Sequence, residues 1–125
     1  MFARVYDFEG RPLSRPLALT PRAGGQGAAS LVRATDGSHV AVWQDDLSGS
    51  PRLVGRRFVA RTRSLGPAVR FSFGPEASRP DCARPALVAL ANGGLLLVGD
   101  HAVAGKGRET GLCRCGGGWD EVEGR

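Results

Sequence analysis

Two stretches of this chain, 56 residues apart, carry one pattern: an apolar run, an Asp-Gly or Asn-Gly pair, then a second apolar run. The first is Ser30-Leu31-Val32-Arg33-Ala34-Thr35-Asp36-Gly37-Ser38, continued by Val40-Ala41-Val42-Trp43. The second is Ala86-Leu87-Val88-Ala89-Leu90-Ala91-Asn92-Gly93-Gly94, continued by Leu96-Leu97-Val98-Gly99. A repeat of this kind constrains the fold strongly, because each unit has to bury its apolar face against a neighbour. Asp-Gly and Asn-Gly tolerate positive φ, so each copy is expected to open with a β-hairpin closed by a type I′ turn at Asp36-Gly37 and Asn92-Gly93.

A second correspondence has an offset of 52. Arg4-Val5-Tyr6-Asp7-Phe8-Glu9-Gly10-Arg11-Pro12-Leu13 aligns with Arg56-Arg57-Phe58-Val59-Ala60-Arg61-Thr62-Arg63-Ser64-Leu65. Each predicts a strand with an aromatic (Tyr6, Phe58), a polar turn and an apolar strand, Pro16–Thr20 or Ala68–Phe73. In the latter, Val69, Phe71 and Phe73 alternate with Arg70 and Ser72, the period of a half-buried strand. The chain is therefore expected to be a single repeat region over 1–125: a partial unit at 1–27, a complete unit at 28–80, and a partial unit at 81–125 with a poorly fitting tail. Expected strands lie near 2–8 and 16–20, then 28–34, 39–44, 52–59 and 67–73, then 85–91 and 95–99, with a short one near 111–115. No window of helical length carries helical apolar spacing free of Gly or Pro. With 19 Gly and 8 Pro, the punctuation suits short strands and turns. The fold class is all-β.

The residues also carry a likeness. Arg4–Leu13 resembles the strand-turn-strand element, and Ala34-Thr35-Asp36-Gly37-Ser38-His39-Val40-Ala41-Val42-Trp43-Gln44-Asp45 the companion element, of propeller-like repeats in large secreted bacterial proteins. Such proteins often also carry haemolysin-type calcium-binding repeats. The resemblance implies four-stranded antiparallel units, about two blades of them, with an extracellular or cell-surface location and a role in adhesion or display. It implies no catalytic residue. The second copy departs from the pattern: Arg61-Thr62 replace the acidic residue and glycine of the turn, and Gly99 replaces the tryptophan. The alternative architecture is a small twisted β-sandwich. A propeller needs about four to eight blades to close, so the neighbours expected are blades of the same or a longer chain, or further copies of this one.

Net charge is +5, with all basic residues but Lys106 being arginine. Arg, Ala, Gly and Pro are enriched together, as a GC-rich genome makes them, and the arginines are scattered rather than clustered. A nucleic-acid partner is therefore disfavoured. Residues 1–7 have no signal-peptide core, and no run reaches the roughly 18 apolar residues of a membrane span. Cys82, Cys113 and Cys115 are an odd set; Cys113 and Cys115 share a strand face but lack a second pair for zinc.

Asp45-Asp46-Leu47-Ser48-Gly49-Ser50 is the candidate metal loop. Asp45 and Asp46 offer hard oxygens suited to calcium, although the regular spacing of a dedicated calcium loop is missing. Ser30, His39 and His101 do not form a triad signature, and no Gly-x-Ser-x-Gly elbow is present. Gly105-Lys106-Gly107-Arg108 reads as a connection rather than a phosphate loop. Trp43, Tyr6 and Phe58 are expected in the core between units. The sequence thus points to a non-enzymatic interaction or display module, a fragment of a longer protein. A remnant of a glycan-processing propeller enzyme and a basic nucleic-acid binder are the alternatives.

Overall fold

The computed structural model describes residues 1–20, 25–46, 52–71, 82–103, 107–115 and 122–124. The protein is all-β, and the described residues contain no helix. Among the described residues, ten strands form three antiparallel sheets. β1 (Phe2–Ala3) pairs with β2 (Leu17–Ala18). β3 (Gln26–Arg33), β4 (His39–Asp45), β5 (Arg52–Val59) and β6 (Ser64–Phe71) form a four-stranded meander. β7 (Cys82–Ala89), β8 (Leu95–Val103), β9 (Gly107–Cys115) and β10 (Val122–Gly124) form a second.

The 56-residue repeat is three-dimensional. The pairings Gln26↔Asp45, Gly27↔Gln44 and Ser30↔Val42 recur as Cys82↔His101, Ala83↔Asp100 and Ala86↔Val98. Both first strands bulge at the same place, with Ala28 (φ 46°) and Arg84 (φ 52°) carrying the left-handed residue. A bulge re-aims the strand beyond it, so both hairpins present their apolar residues with the same slant.

The turns differ from type I′. Asp36 and Asn92 are not in the positive-φ region; Gly37 (φ 83°) and Gly93 (φ 85°) are. Gly37 N–H donates to Ala34 O (3.0 Å) and Ala34 N–H to Ser38 O (2.8 Å). Gly93, Leu90 and Gly94 repeat this at 3.1 and 2.8 Å, and Gly10, Asp7 and Arg11 at 3.1 and 2.9 Å. Each is a type I turn followed by one left-handed glycine, the three-residue hairpin loop. The Asp or Asn accepts backbone N–H groups instead of twisting: Ser38 N–H on Asp36 Oδ1 (2.9 Å) and Gly94 N–H on Asn92 Oδ1 (3.1 Å).

The other departures are at the ends. β1 and β2 are two residues each, followed by a single Tyr6↔Pro12 bridge, because Pro12 and Pro16 have no N–H for a ladder. In the last unit, β8 runs to Val103 instead of residue 99. The strand expected near 111–115 is the end of a longer third strand, Gly107–Cys115, and Val122–Gly124 adds a fourth to what was expected as a partial unit. Gly107 and Arg108 accordingly begin a strand. Phe73 of the expected sixth strand lies outside the described residues.

The sheets stack face to face in chain order. Val40, Val42, Leu53 and Phe71 on one face of the β3–β6 sheet enclose Leu87, Leu95 and Leu97 of the next. On its other face, Ala41, Trp43 and Phe58 meet Leu17 and Leu19 of the N-terminal pair, with Met1 and Ala3 packed alongside. β4 is thus buried from both sides, which explains its continuous Val40-Ala41-Val42-Trp43 run.

Candidate functional site

Arginines tie these sheets together. Arg56 donates from Nε to Gly66 O (2.7 Å) within its own sheet and from Nη1 to Leu19 O (2.8 Å) in the preceding one. Arg63 reaches Arg15 O (3.0 Å) and Pro16 O (3.1 Å). Arg57 pairs with Asp36 at 2.7 Å, Arg84 with Asp100, and Arg11 with Asp7 and Glu9.

Asp45 ends β4, and Asp46 follows it; the Asp46 carboxylate accepts two hydrogen bonds from Gln44 Nε2 (3.1 and 3.2 Å), while its N–H donates to Gly25 O (2.7 Å). Leu47–Ser50 and Lys106 lie outside the described residues. Among the described residues no three His, Cys, Asp or Glu gather at metal distance. Ser30 Oγ accepts from Leu87 N–H (3.1 Å), a clamp between the two large sheets. Cys82 pairs with His101 in the β7–β8 ladder, and Cys113 and Cys115 with Gly124 and Val122 of β10. Trp43 and Phe58 are core residues, as expected, whereas Tyr6 is 53% exposed. Tyr6 sits where Phe58 does in its unit, but the N-terminal pair has only two strands and cannot surround it.

The feature with the character of a site is an apolar groove of about 450 Å³ on the face of the β3–β6 sheet that turns toward the N-terminus. Its floor is Leu31, His39 and Ala41, and its wall is β1 with Val5. Leu31 stands 58% exposed there. His39 stacks on Phe58 with ring centroids 5.5 Å apart, and its buried Nδ1 has no hydrogen-bond partner among the described residues. Phe2, Phe8 and Leu13 are also exposed nearby along the chain. The groove offers shape and apolar contact. Its lining is mostly apolar, with Arg4, Ser14, His39 and Arg63 as the polar side chains around it.

Nothing in the sequence marked this groove, because Leu31 reads as an ordinary strand leucine; its exposure follows from what the adjoining sheet lacks. Among the described residues, no helix is long and apolar enough to cross a membrane. No protein-family model matches the chain, and neither a curated protein nor a solved structure matches it.

Proposed function

We propose that this chain is a non-enzymatic interaction module built of propeller-like repeat units, which acts by packing against neighbouring units in an adhesive or display array. The observation that carries this reading is the stack. Met1, Leu17 and Leu19 pack against the second unit, and their counterparts Leu53, Val69 and Phe71 pack against the third; the stack presents two unlike apolar faces. One is the groove floored by Leu31. The other is the outer face of the last sheet, where Val88 is 53% exposed and Leu96 and Val98 are half-buried. Val88, Leu96 and Val98 are the counterparts, 56 residues on, of Val32, Val40 and Val42, which are covered by the following sheet. Apolar positions that one unit buries and another leaves open are what an interaction surface is made of.

Light scattering after size exclusion, over a range of concentrations, tests this. The expected result is a mass that rises with concentration in whole-chain steps, suppressed by Val88→Glu. A single monomer mass at every concentration, unchanged by that substitution, would count against the reading.

A further inference from the structure

Resting on that reading, we infer that the groove is the seat of a two-stranded β-hairpin of the β3–β4 type, whose second strand pairs with the open edge of β1 and whose apolar residues cover Leu31. The repeat itself specifies what fits there.

First, β1 and β2 are the third and fourth strands of a unit. Phe2↔Ala18 and Ala3↔Leu17 reproduce Val54↔Arg70 and Gly55↔Val69 at an offset of 52. Leu19 N–H donates to Met1 O (3.0 Å) where Phe71 pairs with Leu53. Arg4 Nε on Ser14 O (2.9 Å) repeats Arg56 Nε on Gly66 O (2.7 Å). In the complete unit the other edge of the third strand is taken by β4, through Trp43↔Val54 and Val42↔Gly55. Among the described residues, no strand pairs with that edge of β1. An unpaired edge is a template for strand addition.

Second, the floor has a covered counterpart. Leu31, His39 and Ala41 correspond to Leu87, Leu95 and Leu97. These three are buried against Val40 and Val42, with Val32 packed alongside, and Leu87 N–H donates to Ser30 Oγ. The element that covers this position in the molecule is therefore a first hairpin, β3–β4. The occupant of the groove needs the same chemistry: antiparallel strands with small branched apolar residues at the positions of Val32, Val40 and Val42, and a hydroxyl at that of Ser30.

Third, the connection is the right length. Leu53 is the counterpart of Met1, so a second copy of residues 25–52 placed directly ahead of Met1 reproduces the natural passage from β4 to β5.

That extension is the test. The urea midpoint of the extended chain is expected to exceed that of the 125-residue chain. Leu31→Ser, near neutral in the 125-residue chain, is expected to lower the midpoint of the extended one. Serine at the added copies of Val40 and Val42 is expected to abolish the gain. An unchanged midpoint, with Leu31→Ser neutral in both chains, overturns the proposal, whether the added segment stays unpaired or a second copy fills the groove; the solution mass separates those two cases. If the extended chain does not fold, a backbone-cyclised peptide of residues 26–45 added to the unmodified chain gives an independent answer. Shifts of the Ala3 and Leu31 amide resonances are expected, and none up to the millimolar range overturns the proposal. A monomeric parent chain would instead count against the module reading and leave a gain in the extended chain standing.

Discussion

Leu31 and Leu87 hold the same register position in consecutive units, yet Leu31 is 58% exposed and Leu87 is 9% exposed. The sequence environments are nearly alike, so the contrast comes from the neighbour: the hairpin β3–β4 lies over Leu87, and an incomplete unit lies beside Leu31. Leu87→Ala should therefore cost about 2–4 kcal/mol, the range for a buried leucine, while Leu31→Ala should stay within about 0.5 kcal/mol. Urea unfolding of the two variants checks this, and equal costs would contradict the stacking order.

Gly55 is held in place by contact rather than by backbone conformation. A Cβ there would lie 2.6 Å from Phe71 Cε2 and 2.9 Å from Val42 Cγ2, both inside the core between the two large sheets. Gly55→Ala is expected to destabilise by about 1–3 kcal/mol through overpacking. Gly27, also in a strand but with nothing within 4 Å of its Cβ position, is the comparison: Gly27→Ala should be neutral or slightly stabilising. Thermal melts of the pair separate crowding from the general effect of replacing a strand glycine.

The carboxyl of Asp36 is held below its ordinary range, chiefly by the Ser38 hydroxyl (2.6 Å) and the Ser38 N–H, with the Arg57 guanidinium adding to the effect. A carboxyl lowered in the folded state contributes stability that is present above its unfolded value and lost as pH falls through the folded one. Asp36→Asn keeps an acceptor for Ser38 N–H, as Asn92 does in the second turn, but carries no charge. The melting temperature of the variant should thus lie below that of the parent at pH 7, and the two curves should converge as pH drops below the carboxylate range. A constant offset down to pH 3 would mean that the charge is not the cause.

Three turn positions are left-handed glycines, Gly10, Gly37 and Gly93, and the β5–β6 hairpin, where Thr62 aligns with Gly10, has its left-handed residue one position on, at Arg63 (φ 58°). A side chain in that region costs about 1–2 kcal/mol. Gly37→Ala should lose about that much in a urea titration. Arg63→Gly relieves the same strain but gives up the bonds to Arg15 O and Pro16 O, so its net effect should be smaller than that of Gly37→Ala. A loss from Arg63→Gly as large as that from Gly37→Ala would assign Arg63 mainly to fastening the N-terminal strands.

The repeat was legible because its signals are local: Asp-Gly and Asn-Gly between apolar runs, and the alternation Val69, Arg70, Phe71. Turn type was misjudged because Asp36 and Asn92 serve as acceptors in a type I turn, a role the dipeptide alone does not separate from type I′. The strand expected near 111–115 is the second half of β9; its first half and β10 were not expected, because β9 carries Gly107 and Gly111 with charged Arg108 and Glu109 and draws its order from the β8 ladder. The groove was illegible for a different reason. Exposure of Leu31 is set by the strands beside β1, and a residue's own neighbours in sequence say nothing about that.

Face-to-face stacking in chain order also gives the molecule a direction. Its two ends are not copies of one another: one is a socket with an open strand edge, the other a broad face carrying Val88. Faces that fit socket to face cannot be related by a two-fold axis, since that would bring like to like. An assembly that joined socket to face would be head to tail, each added partner re-creating the end it covered. Growth by such a rule stops only when the rotation from one sheet to the next brings the last face round to the first socket. The twist between sheets therefore decides between a closed ring of fixed number and an open-ended fibre.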